Sequence, residues 1–158
     1  DRRQRQMCIR DRVEYQSAGN YNNARFGEFE MRLCHTPLST LTTNYQNNYG
    51  GRTPVLVASA NPLFITAIPD AWFGLTCSPP FDYNNQDNLI VEVRWRNTQL
   101  STEVDCWCFD AGSNRGLLYK DYNATEGALG TKIDRLRLTI NDVAVAPTSL
   151  GRVKSLYR

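Results

Sequence analysis

The stretch from Pro79 to Asn97, PPFDYNNQDNLIVEVRWRN, constrains this chain more than any other. Two successive prolines fix φ and remove two backbone donors, so the chain enters extended and not as helix. Apart from Tyr83, the run Asp82 to Asn88 is all Asp, Asn and Gln, the chemistry of turns. From Leu89 onward the chain alternates. Leu89, Val91, Val93 and Trp95 share one side; Ile90, Glu92, Arg94 and Arg96 share the other. An apolar side backed by a mostly charged one predicts a half-buried antiparallel strand with one dry and one wet face. We read it as the central strand of the core.

Other segments carry the same period. Phe26 to His35 alternates Phe29, Met31 and Leu33 with charged residues until Thr36-Pro37 stops it. Thr36 as N-cap and Pro37 as first helical residue predict one helical turn within Leu38 to Tyr45. Pro54 to Ser59 and Leu63 to Ile68 are strands split by the turn signal Asn61-Pro62. Trp72 to Ser78, Gly116 to Tyr122, Lys132 to Ile140 and Val143 to Ala146 follow as strands. Glu103 to Asp110 has Val104, Cys106 and Cys108 on one side and Trp107 and Phe109 on the other, so it is expected to be covered on both. About eight short antiparallel strands with almost no helix predict an all-β chain, a jelly-roll-like β-sandwich.

At 158 residues the chain has the length of one domain. Three parts are expected: residues 1–24, an N-terminal arm with a remnant strand at Val13 to Gln16; residues 25–140, the sandwich; and residues 141–158, a tail or strand. Acids and bases are mixed and net charge is +2, without the basic stripe of a nucleic-acid binder or the apolar run of a membrane insertion. The chain opens at Asp1, and residues 7–12, MCIRDR, resemble a translated sequencing-library adapter. A truncated or processed start is therefore expected.

Of five cysteines, Cys8 is set aside. The spacing of Cys34, Cys77, Cys106 and Cys108 fits no zinc pattern, and disulfides in an oxidising compartment are the better expectation. Cys106 and Cys108 face the same way on a strand. Cys34 and Cys77 are therefore expected to join Cys106 and Cys108, in either order.

No catalytic set is visible. His35 is the only histidine and has no partner base or nucleophile in the pattern. Glu92, Glu103 and Glu126 lack any context that would pair them for glycoside hydrolysis. Asp82, Asn84 and Asp87, with Asn85, could offer oxygens to Ca²⁺, but Asx-rich turns also form without metal. Trp72, Tyr83, Trp95 and Trp107 could form a platform for stacking on a glycan; Trp95 lies on the dry side of its strand and core packing is the default for such aromatics, which leaves Trp72 and Tyr83 as the leading candidates. Asn123-Ala124-Thr125 is an N-glycosylation sequon. No cofactor is expected.

His35 to Gly51, HTPLSTLTTNYQNNYGG, a strand led by Trp72 and then PFDYNNQDNLIVEVRW together resemble secreted bacterial β-sandwich modules. In those a His-Thr pair precedes an LTT-type turn, and a Pro-Phe-x-Tyr stretch leads into Asn-Leu-Ile-Val-Glu-Val. The resemblance spans about Phe26 to Ile140, and PTSLGRVKSLYR is similar to short tails of some secreted bacterial proteins. It implies an extracellular or cell-surface location and says nothing of chemistry.

The expectation is thus a non-enzymatic structural subunit whose partners are other copies of itself. It would polymerise into a surface filament by exchanging a strand at one terminus. The alternative is a carbohydrate-binding or adhesion module.

Overall fold

The computed structural model describes residues 7–9, 12–96, 103–119, 121–139 and 153–157, with 7–9 and 153–157 as backbone traces. The chain is all-β. Its strands are β1 (Met7–Ile9), β2 (Arg12–Gln16), β3 (Tyr21–Phe26), β4 (Phe29–Thr36), β5 (Val55–Ala60), β6 (Leu63–Ala67), β7 (Trp72–Thr76) and β8 (Phe81–Tyr83). After them come β9 (Asn88–Arg94), β10 (Cys108–Asp110), β11 (Gly116–Leu118), β12 (Ala128–Gly130), β13 (Lys132–Asp134), β14 (Leu136–Thr139) and β15 (Val153–Tyr157). The one α-helix among the described residues is α1 (Tyr45–Asn48).

The largest sheet has the order β12-β11-β15-β9-β4-β5, and a second has the order β14-β2-β7. The pairs β1-β8, β3-β6 and β10-β13 complete the set. Alternation explains how the two larger sheets meet. Met31 and Leu33 of β4, and Leu89, Val91 and Val93 of β9, pack with Val13 and Tyr15 of β2. Phe73, Leu75, Leu136 and Leu138 close on them from β7 and β14. Each fully buried side chain of this size contributes roughly 1.5–3 kcal/mol from leaving water. Gly74 on β7 is needed where it stands, since a Cβ there would lie 2.1 Å from the Val13 carbonyl oxygen.

The opposite side of β9 is not wet. Ile90 and Glu92 are fully buried. Ile90, Cys34 and Leu117 form a second core with Leu41, Tyr45 and Tyr49. That cover is pinned by side-chain bonds to backbone. Asn44 caps α1 by accepting from the Asn47 amide at 3.0 Å. Asn48 clasps Thr42, accepting from its amide at 2.7 Å and donating to its carbonyl at 3.0 Å. The Thr36 hydroxyl donates to the Asn48 carbonyl at 2.6 Å. The helix thus starts at Asn44 and not at Thr36-Pro37: the chain after Pro37 runs as loop until the Asn side chains can cap it.

Other expectations are corrected. The strands number fifteen among the described residues, not about eight, because turns cut several runs. Phe26 to His35 breaks at Gly27-Glu28, and Lys132 to Thr139 breaks at Arg135. The strands are not all antiparallel, since β15 runs parallel to both its neighbours. β2 is the middle strand of its sheet, held by β7 and β14, with Val13 fully buried. The segment Glu103 to Asp110 is not covered on both sides; Trp107 and Phe109 are 44% and 48% exposed. Ile140 and Val143 to Ala146 lie outside the described residues.

Candidate assembly site in the large sheet

Strand β15 lies inside the sheet. It pairs with β9 from Val153 opposite Leu89 to Tyr157 opposite Val93. On its other side it pairs with β11, from Gly116 opposite Ser155 to Leu118 opposite Tyr157. β9 and β11 are both bonded to β15 and are not neighbours of each other. The slot between them is therefore one strand wide, with a ladder of backbone donors and acceptors on each wall. β1 is placed differently: among the described residues it pairs with the three-residue β8 alone, in a separate two-stranded sheet. Of the two terminal segments, the later one occupies a slot and the earlier one lies on an edge.

Beneath that sheet sits its most buried charge. The Tyr49 hydroxyl donates to Glu92 Oε2 at 2.6 Å, and Arg94 Nε donates to Oε1 at 2.7 Å. Both carboxylate oxygens are thus occupied, and the Arg94 guanidinium neutralises the charge. Sequence reading missed this group because Tyr49 and Glu92 are far apart in the chain. Glu103 and Glu126 are exposed, so the three glutamates do not share one environment.

The Asx loop folds on itself. Asn84 Oδ1 accepts from the amides of Gln86 and Asp87, both at 3.0 Å, and its Nδ2 donates to Asp87 Oδ2 at 2.8 Å. Arg52 pairs with that same Oδ2 at 2.8 Å. Asn84 and Asp87, two of the calcium candidates, therefore spend oxygens on the loop's own donors, while Asp82 stands exposed on β8. Among the described residues, no three His, Cys, Asp or Glu side chains converge as metal ligands. His35 anchors the loop: its Nε2 accepts from the Asn84 amide at 3.1 Å, so that nitrogen carries no proton. Its ring lies 4.8 Å from Phe81 and 5.7 Å from Tyr83. Burial lowers its pKa below the ordinary 6.5, opposed by the Asp87 charge.

The two glycan-stacking candidates are not brought together. Trp72 lies in the sheet of β2, with Arg137 placed over its ring at 4.7 Å. Arg137 Nε also donates to Glu14 at 2.6 Å, and that bond holds the Glu14 carboxyl below its ordinary 4.5, with charge attraction from Arg137 and Arg12 added. Tyr83 stacks on His35, and its hydroxyl donates to the Asp87 carbonyl at 2.9 Å. Asn123 is exposed in a turn, a position a glycan could reach.

Among the described residues no disulfide joins Cys34 or Cys77 to Cys106 or Cys108. Cys34 belongs to the core on one side of the large sheet, and Cys77 and Cys106 to the core on the other. A bridge from Cys34 to Cys106 would have to cross the sheet, which disulfide geometry forbids. Burial pushes the Cys34 thiol up to about 11 and the Cys106 thiol up to about 12. Cys108 is exposed.

No protein family matches this chain, and no curated protein or solved structure is significantly similar to it.

Proposed function

We propose that the protein is a non-enzymatic extracellular structural subunit that assembles into a surface filament by exchanging β15 between copies. The observation that carries this is the one-strand slot between β9 and β11. A slot that accepts β15 from its own chain presents the same backbone ladder to β15 of another copy. In this scheme each copy gives β15 to the next and receives it from the one before, a head-to-tail contact that propagates as a fibre where its rotation does not close, whereas a reciprocal exchange would stop at a dimer. β15 is the donor in this scheme and β1 is not, because withdrawing β1 uncovers only an edge. Membership among the secreted bacterial β-sandwich modules, with jelly-roll connectivity, forms part of the proposal and rests on the sequence resemblance. So does the location outside the cell, to which no disulfide among the described residues lends support.

The register supplies a test. Ser155 is opposite Val91. A copy carrying Ser155→Cys is mixed with a copy carrying Val91→Cys and oxidised, with the wild-type mixture as background for the native thiols. Cross-linking between the two copies, with extended oligomers by electron microscopy, supports exchange. A monomer at every concentration, with no cross-link above background, rejects it.

The runner-up is a carbohydrate-binding or adhesion module. The exposed Trp107 and Phe109 favour it; Trp72 and Tyr83 do not, their rings being taken by Arg137 and His35.

A further inference from the structure

Trp107 is half exposed and yet fixed in place. Its indole Nε1 donates to Asp70 Oδ1 at 2.8 Å. Its amide donates to the Gln16 carbonyl at 2.9 Å, and its own carbonyl accepts from the Arg135 amide at 2.7 Å. The same three neighbours are tied to one another. Gln16 Nε2 donates to the Asp70 carbonyl at 3.2 Å, and the Arg135 guanidinium donates to Gln16 Oε1 at 3.3 Å. Phe109 sits two residues on, in β10, and is 48% exposed; the i, i+2 spacing of an extended chain gives it the same side as Trp107. At the rise of an extended chain the two rings start about 6.6 Å apart.

We infer that Trp107 and Phe109 form the floor of a glycan-binding platform, bordered by Asp70, Gln16 and Arg135. Two aromatic faces in a row offer stacking surface to the C–H faces of successive sugar rings, because an aromatic face carries the negative side of its quadrupole. Beyond the bonds they make to Trp107 and to each other, the second Asp70 carboxylate oxygen and the remaining Arg135 N–H groups are the polar atoms at hand for sugar hydroxyls. Hydrogen bonding around Trp107 holds the platform before any ligand arrives, which lowers the ordering cost of binding. The size also chooses the ligand. With about half of each ring exposed, the two offer roughly 200 Å², against the ~800 Å² per partner of a stable protein interface. That area suits one or two sugar units and is too small for a subunit contact. The platform involves neither β9 nor β15, so it is independent of strand exchange.

The test is a glycan array of neutral and acidic oligosaccharides probed with the full chain, followed by calorimetric titration with the best oligosaccharide found. Trp107→Ala and Phe109→Ala should each weaken binding tenfold or more, Asp70→Ala several-fold, and Trp72→Ala not at all. If Trp107→Ala does not fold, Trp107→Leu, which keeps bulk but no aromatic face, serves in its place. Absence of binding across the array, or equal binding by Trp107→Ala and wild type, overturns the inference. So does loss of oligomers in Trp107→Ala with no glycan bound by wild type, which would make the patch a subunit contact.

Discussion

β9 and the segment Glu103 to Asp110 read alike and end oppositely. Both alternate. In β9 one side is apolar and the other mostly charged, yet both are buried, with Glu92 among the deepest side chains. In the second segment both sides are apolar, yet Trp107, Cys108 and Phe109 stand in solvent. A period of two states which side chains share a face. It does not state what lies over that face, which depends on chain from elsewhere. Leu41, Tyr45 and Tyr49 cover β9, while β10 pairs only with β13.

Substitutions can break or sharpen this contrast. The largest effect belongs to Val91→Asp. Val91 is fully buried in the core between the sheets, and an unpaired carboxylate there should cost more than about 4 kcal/mol and prevent folding. Far-ultraviolet circular dichroism of a native-like, cooperatively melting variant would refute the core assignment. Next comes Glu92→Ala. A wet face would make it mild, but here it takes the counter-charge from Arg94 and an acceptor from the buried Tyr49 hydroxyl, so about 3 kcal/mol is expected in urea unfolding. A loss below ~0.5 kcal/mol would restore the wet face.

Acid should act through the outer side of the smaller sheet and through the His35 loop. Glu14 has a lowered pKa, so its contribution is complete above 4.5 and is lost as pH falls through the lower folded value. His35 is also lowered, and as a base it must take up a proton on unfolding. Its contribution is complete above 6.5 and is lost below it. Stability should therefore decline in two steps on acidification, and Arg137→Ala should flatten the lower one. A melting temperature independent of pH from 7 to 3 would contradict both.

Trp107→Ala should be nearly silent for stability, within about 1 kcal/mol, since it uncovers little and gives up one exposed hydrogen bond. A core-sized loss would mean that the ring is covered. Smallest of all, and without energetic consequence, is the order of thiol alkylation in the native protein. Cys108 should react first, and the buried Cys34 and Cys106 with their raised pKa values should lag. Mass spectrometry finding disulfides among these four would reverse the assignment.

Much of the β-rich character was legible, because Met31, Leu33, Leu89, Val91 and Val93 announce their face through local spacing. The cover over Glu92 was not, since nothing local marks Tyr49 as its partner. The central place of β2 was hidden for a similar reason: five residues hold too few alternations to show that two strands flank them. Of the candidate sites, the Asx run was recognisable as a turn, but the sequence did not single out Trp107. An isolated tryptophan defaults to the core, and its exposure here follows from how distant segments pair around it, with Asp70 accepting from its indole.

The position of β15 also has a consequence for synthesis. A ribosome delivers residues in order, and β9 is complete long before Val153 emerges. Until then the nascent sheet holds β9 against β4 on one side only, with the β11-β12 hairpin unattached on the other. The growing chain must carry that bare ladder from Arg94 until Val153 emerges, open to any passing extended peptide. Its final closure is a long-range event of the kind that slows folding. This protein should lean on holdase chaperones during its own manufacture, and lose that dependence once β15 has paired with β9 and β11.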